Sequence, residues 1–254
     1  MFWIFVKNKQ PNRLWEIDFL RGIAIIMMII YHILFDLNFF DIYSINLHSF
    51  PFRLFLYPIG TTFLLLVGIS LTLSYSRSQQ TIPTKQLSIK FLLRGLEIFG
   101  FGLIITIVTW FLVPESFIIF GVLHCIGISI ILAYPFLQLR IPNLFIGIVF
   151  ILSGIALRTM VFDFNWLVWL GFIPSGFSTI DYFPLLPWFG VVLIGIFIGK
   201  TFYPNYNRKF ELPDLSRYKP VNFLCFLGKH SLVIYLIHQP ILLGIIYLFS
   251  PVGL

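Results

Sequence analysis

Four residues near the start of the chain could do chemistry that their apolar surroundings make expensive to keep. Asp18, Arg21, His32 and Asp36 lie in a stretch otherwise dominated by Ile, Leu, Met and Phe. On a helix at about 100° per residue, with Asp18 at zero, Arg21 falls at about 300°, His32 at about 320° and Asp36 back at about 0°, one face about 60° wide. His32 lies about 16 Å along the axis from Arg21 at 1.5 Å per residue. His32 and Asp36 are four apart, the spacing at which a carboxylate can orient an imidazole or hold its proton. A histidine held that way suits a general base. His124 and His238 sit in two further apolar runs, where direct chemistry competes with a role as interhelical hydrogen-bond partner. His48 lies in a short connection and, taken alone, reads as a solvated residue. Arg94 and Glu97, three apart, read as a local pair, and Lys229 stands at the edge of the last apolar run.

The elements that must position these residues follow from composition. Of 254 residues 59% are hydrophobic and 11% charged, whereas soluble domains are about 25% charged. The bilayer is the natural solvent, and a helix needs roughly 20 apolar residues to cross it. Such runs occur at 19–40, 52–76, 91–113, 116–138, 143–162, 182–202 and 230–249. They predict an all-α, polytopic transmembrane bundle of seven spans, or eight if 163–181 crosses as well. That segment, with Trp166 and Trp169, reads as interfacial or re-entrant. A β-barrel would show alternating segments of about ten residues, which runs such as Ile23–Ile30 do not. Ionisable groups inside such helices cost several kcal/mol and mark function, which is why the four residues on the first helix matter.

Fifteen of the 17 Lys and Arg residues fall on one side of this threading, with only Arg53 and Arg158 on the other. By the positive-inside rule the N-terminus is cytoplasmic and the C-terminus external. The net charge of +7 then reflects topology and attraction to membrane lipid, not nucleic-acid binding. The first run is too long, and carries too many polar groups, for a cleaved signal peptide. Cys125 and Cys225 offer neither a disulfide framework nor metal-ligand spacing. The polar stretch 203–219 reads as a cytoplasmic loop inside one domain spanning 1–254, because a lone last helix could not bury its own polar face. Motifs for an intramembrane serine protease, a membrane metalloprotease or a phosphate-binding loop are absent. The seventh helix has no mid-membrane Lys for a retinal Schiff base.

Several pieces resemble one family. Asp18, Arg21-Gly22-Ile23-Ala24, Met28 and Tyr31-His32 are similar to the first helix of the membrane acyltransferases related to heparan-alpha-glucosaminide N-acetyltransferase. The likeness continues in Phe63-Leu64-Leu65-Leu66-Val67-Gly68-Ile69-Ser70 and in Gly121-Val122-Leu123-His124-Cys125-Ile126-Gly127. It ends with Gly228-Lys229-His230-Ser231-Leu232 and Tyr235-Leu236-Ile237-His238-Gln239-Pro240. The resemblance implies transfer of an acetyl group from cytoplasmic acetyl-CoA to a sugar amine or hydroxyl, on a glycan or amino-sugar acceptor at the outer face. It also implies a multi-pass membrane location, the plasma membrane if the source is prokaryotic, and leaves a homo-oligomer open.

Two relatives place the catalytic histidine differently. The arginine-to-histidine spacing is similar to that of the larger membrane family that O-acetylates cell-surface polysaccharides, whose catalytic histidine falls on His32. The heparan enzyme has asparagine there and a later histidine before its second helix, where this chain has His48. His32 is preferred because its burial and its carboxylate neighbour fit a base independently of any relative. Arg21, Arg94 and Lys229, at helix ends on the cytoplasmic side, are the expected partners of CoA phosphates. The competing reading is a proton-coupled transporter or channel in which His32, Asp36, His124 and His238 form a relay. The lack of an internal repeat speaks against it.

Overall fold

The computed structural model describes residues 14–44, 46 and 49–249, the side chains of 51, 53 and 55 aside. Among these residues there is no β-strand. With no water to bond them, the backbone groups of long apolar runs can be satisfied only internally, and the chain forms helices wherever such a run occurs. These are α1 (Trp15–Phe39), α2 (Phe50–Ser78), α3 (Thr84–Leu112), α4 (Val122–Ala133, continued by a 3-10 turn Tyr134–Gln138), α5 (Ile141–Leu157), α6 (Leu185–Phe202), α7 (Lys219–Lys229) and α8 (Ser231–Phe249). Proline punctuates them: Pro83 precedes α3, Pro114 follows its end, and Pro142 and Pro220 sit in the first turns of α5 and α7, where an N–H would have no partner anyway.

Five of these helices, α1, α2, α3, α6 and α8, are long and apolar enough to cross a membrane, while 122–138 and 141–157 are shorter apolar helices. Large hydrophobic side chains point outward along α3 (Leu93, Ile104, Trp110) and α5 (Phe145, Val149, Leu152). In water such surfaces would be a liability; against acyl chains they are what is required.

The ends of several expected runs differ from the helices formed; α3, for one, begins at Thr84 against an expected 91. Helix α4 starts at Val122, not 116, because the backbone of the preceding segment is claimed from elsewhere. Ile180 N–H donates to Ser116 O (3.0 Å), Phe183 N–H to Phe120 O (2.9 Å) and Thr179 Oγ1 to Phe117 O (2.8 Å). Helix α5 stops at Leu157. The segment 163–181 carries only the three-residue 3-10 turn Val168–Leu170, so no helix there is long enough to cross. Helix α7 has no counterpart among the expected runs. Its inward face is Val221, Leu224, Cys225 and Gly228, the i, i+3, i+4, i+7 pattern of an amphipathic helix, with Asn222, Phe223, Phe226 and Lys229 exposed.

Contacts divide the chain into two compact units, residues 1–56 with 213–254 and residues 57–212. In the first, α1 packs against α7 and α8. The crossing with α7 is so close that a methyl group at Gly22 would lie 2.0 Å from Leu224 O, and one at Gly228 1.8 Å from Asp18 O. Small residues permit this approach. One cut between the units falls inside α2 and the other inside the polar stretch 203–219, and the helices beyond the second return to α1.

In the second unit the most apolar window of α6 is 61% buried, against 17% for that of α3. A helix apolar on all sides belongs at the centre. Leu64 and Leu71 of α2, Phe91 of α3, Cys125 and Ile130 of α4, and Val192, Leu193 and Ile196 of α6 form the core there. Helices α3 and α4 meet through Gly95 and Gly127, each within 2.8 Å of the other's carbonyl oxygen once a Cβ is imagined.

Candidate active site

The polar stripe of α1 is covered by the last two helices. At one end Asp18 is buried, and Arg21 Nη1 donates to its Oδ1 (3.1 Å) and to Gly228 O of α7 (3.3 Å). The Arg21-Gly22 and Gly228-Lys229 motifs are therefore two halves of one contact. Further along, His32 and His238 of α8 pack edge to face, ring centroids 4.6 Å apart at 77°. One turn on, Gln239 Nε2 of α8 donates to Asp36 Oδ1 at 2.7 Å.

The hydrogen bonds assign the tautomers. His32 Nδ1 lies 2.9 Å from Met28 O and His238 Nδ1 lies 2.6 Å from Tyr235 O. A carbonyl only accepts, so both Nδ1 atoms carry the proton and both Nε2 atoms keep a lone pair. Nε2 of His238, Oδ2 of Asp36 and Oε1 of Gln239 are buried without a hydrogen-bond partner. The result is a cluster of acceptors within about one helical turn, with no donor among the described residues to meet them. Buried polar atoms left in this way are rare and call for an explanation.

The pairing expected between His32 and Asp36 does not form. The imidazole is oriented by the backbone carbonyl of Met28, and the carboxylate takes Gln239 instead. Correct spacing along a helix brings two side chains to one face, but each found a better-placed partner. His48 lies outside the described residues. Arg94 and Glu97 face outward on α3 one turn apart, and Lys229 is exposed at the end of α7.

His124, in the second unit, is occupied at both nitrogens. Nδ1 accepts from Gly121 N–H at 3.2 Å and Nε2 donates to Thr106 Oγ1 at 3.3 Å, the threonine hydroxyl passing its own proton to Ile118 O at 2.7 Å. It acts there as the interhelical partner, holding α3 to the start of α4. Asp181 completes the arrangement by accepting from Val122 N–H at 3.1 Å. Gly121 precedes the helix and has no side chain to cap it. A Cβ there would meet Asp181 Oδ2 at 2.3 Å, so a distant carboxylate serves as cap. Burial pushes the Asp181 carboxyl up to about 6, the bond from Val122 opposing the rise. The Gly121–Gly127 motif thus specifies helix start and packing.

Outward apolar faces and five helices able to cross a bilayer, the first and last of them carrying buried ionisable groups, mark an integral membrane protein. Within that class the chain belongs to the heparan-alpha-glucosaminide N-acetyltransferase catalytic family, a family of membrane acyltransferases, whose sequence model matches residues 13–240. No curated protein and no solved structure matches it.

Gln239 and Asp181 were not singled out from the sequence. Gln239 carried a usable signal, an amide beside a histidine in an apolar helix. Asp181 carried none, because its role depends on a loop reaching the start of α4.

Proposed function

We propose that the protein moves an acetyl group from cytoplasmic acetyl-CoA to the amine or hydroxyl of a sugar at the outer face. The observation that carries this reading is the set of unmet acceptors, Asp36 Oδ2, His238 Nε2 and Gln239 Oε1, beside His32, because an attacking amine or hydroxyl brings the donors they lack. His32 Nε2 takes the proton from the attacking group as that group bonds to the thioester carbonyl carbon, and returns it to the departing sulfur as the C–S bond breaks. Acetylated sugar and free CoA are the products, and the proton balance closes on the imidazole. Asp36, His238 and Gln239 hold the acceptor's remaining N–H and O–H groups. His48 is the alternative base.

Seven crossings made by α1, α2, α3, 122–138, α5, α6 and α8, with the N-terminus cytoplasmic, accord with the distribution of basic residues. The whole chain then works as one domain in a multi-pass membrane protein. Of the three cations expected at the CoA phosphates, Arg21 is already engaged by Asp18, Arg94 faces away from its helix's packed side, and Lys229 is exposed at the end of α7.

Purified protein in neutral-lipid nanodiscs, given acetyl-labelled CoA and a panel of amino sugars and cell-envelope glycans, tests the reading. Labelled acetyl on a sugar with stoichiometric release of CoA thiol is the expected result. No thioester loss with any acceptor would sink it and favour the transporter reading.

A further inference from the structure

One cavity lies wholly within the second unit and has no part in the acceptor cluster. It has a volume of about 490 Å³ and opens where α2 ends, α5 begins and α6 ends; Thr72, Ser76, Arg140, Lys200, Tyr203 and Asn205 are among its lining residues. The volume is that of a small-molecule site. Its chemistry is one-sided. Two cations line it and no carboxylate does. Arg140 uses Nε on Thr201 Oγ1 at 3.2 Å, leaving both terminal nitrogens of the guanidinium for a ligand. Lys200 is half-buried and has no hydrogen bond or ion pair among the described residues. Ser76 adds a buried hydroxyl, at 7% exposure, whereas that of Thr72 donates to Gly68 O at 3.1 Å; Tyr75 and Tyr203 add aromatic surface.

The rim is held in place as well. Asn205 and Tyr206 both have positive φ, 49° and 69°, a conformation few non-glycine residues adopt. The Arg77 guanidinium lies 3.7 Å over the Tyr206 ring and bonds its hydroxyl. The turn beside the cationic cavity is thereby held by Arg77 of α2.

We propose that this cavity binds the phosphate groups of an anionic ligand, and that the ligand is the phosphorylated nucleotide end of coenzyme A. The guanidinium and ammonium meet the phosphates by charge-assisted hydrogen bonds, the Ser76 hydroxyl and the Asn205 amide complete their coordination, and the tyrosines meet the base. The site is distinct from Arg21, Arg94 and Lys229. Identifying the ligand as CoA rests on the donor reading above, whereas phosphate recognition does not.

The test is calorimetry with CoA and with adenosine 3′,5′-bisphosphate on protein in neutral-lipid nanodiscs, comparing wild type, Arg140→Gln/Lys200→Gln, the charge-preserving Arg140→Lys/Lys200→Arg, and Arg208→Gln/Lys209→Gln outside the cavity. Loss of two charge-assisted contacts should weaken both ligands by more than about tenfold, with little change in the other two variants. Amine-reactive labelling of wild-type Lys200, read by mass spectrometry, keeps the proposal testable should the glutamine variant fail to fold, since CoA should slow the labelling. Binding of CoA with no effect of the double substitution and no protection of Lys200 overturns the cavity assignment and leaves the donor reading standing. Absence of CoA binding, with Lys200 protected instead by anionic-lipid nanodiscs, overturns the donor reading and the nucleotide ligand. It would leave a phosphate site for a lipid headgroup.

Discussion

Replacing Asp36 with Asn separates two roles the residue could have. If Asp36 worked through His32, its loss would fall on kcat by a sizeable part of the 10²–10⁴-fold that a positioned base contributes. The geometry assigns it otherwise. His32 is oriented by Met28 O at 2.9 Å, and Asp36 keeps Oδ1 on Gln239 at 2.7 Å while Oδ2 is buried without a partner. An asparagine in the same place can still accept from Gln239 through its carbonyl oxygen. What it loses is one charged acceptor, and its NH₂ turns a donor toward a group that itself donates. A hydrogen bond to a charged group is worth about 1.5–3 kcal/mol, which at 1.4 kcal/mol per decade is roughly 10–150-fold in affinity. The expected outcome is that KM for the acceptor sugar rises by about that factor while kcat stays within about threefold. Steady-state transfer kinetics with the sugar varied at saturating acetyl-CoA measure both. A collapse of kcat with KM unmoved would refute the reasoning and restore Asp36 as the positioning partner of His32.

His32→Ala should lower transfer about 10²–10⁴-fold with CoA binding retained by calorimetry; if His48→Ala is inactive and His32→Ala is near normal, the base is His48. Gly228→Ala puts a methyl 1.8 Å from Asp18 O, where Gly244→Ala meets nothing within 4 Å. Overpacking of this kind costs about 1–3 kcal/mol, so only the first should lower the melting temperature in detergent, and equal melting of the two would contradict the interlock. Asp181, raised from 3.8 to about 6 by burial, is stabilising in its protonated form. Its contribution is present below about pH 4 and lost as pH rises through about 6, on the order of 1–2 kcal/mol for a residue that stays partly exposed. Asp181→Asn should flatten that fall, and parallel wild-type and variant melting curves between pH 4 and 7 would exclude it.

The cluster's location was legible in part from the sequence because charge inside an apolar helix is expensive. Asp18, Arg21, His32 and Asp36 share a face by arithmetic alone. Which groups meet them was not legible, since Gln239 is 203 residues from Asp36 and Gly228 is 207 from Arg21. The His32–Asp36 pairing failed for the same reason, spacing being blind to a competing amide or carbonyl from another helix. The start of α4 at 122 was hidden because 178–183 supplies the backbone partners that kept 116–121 out of a helix. Helix α7 escaped because its eleven residues are too few and too amphipathic to resemble a crossing, and its apolar face makes sense only once α1 lies beneath it.

The union of α1 with α7 and α8 in one unit also sets an order of events during synthesis. Helix α1 leaves the ribosome before α8, carrying a carboxylate at Asp36 with no partner inside its own helix. Its partner on α8 is 203 residues away, which at about 5–20 residues per second is a delay of roughly 10–40 s. For that interval the future acceptor cluster is half-built, and the second unit can finish folding before the first begins to close. A nascent chain cut short anywhere before α7 would therefore keep a mature-looking middle and an unmatched first helix, a state that a cell's membrane quality control can recognise by its stranded acid.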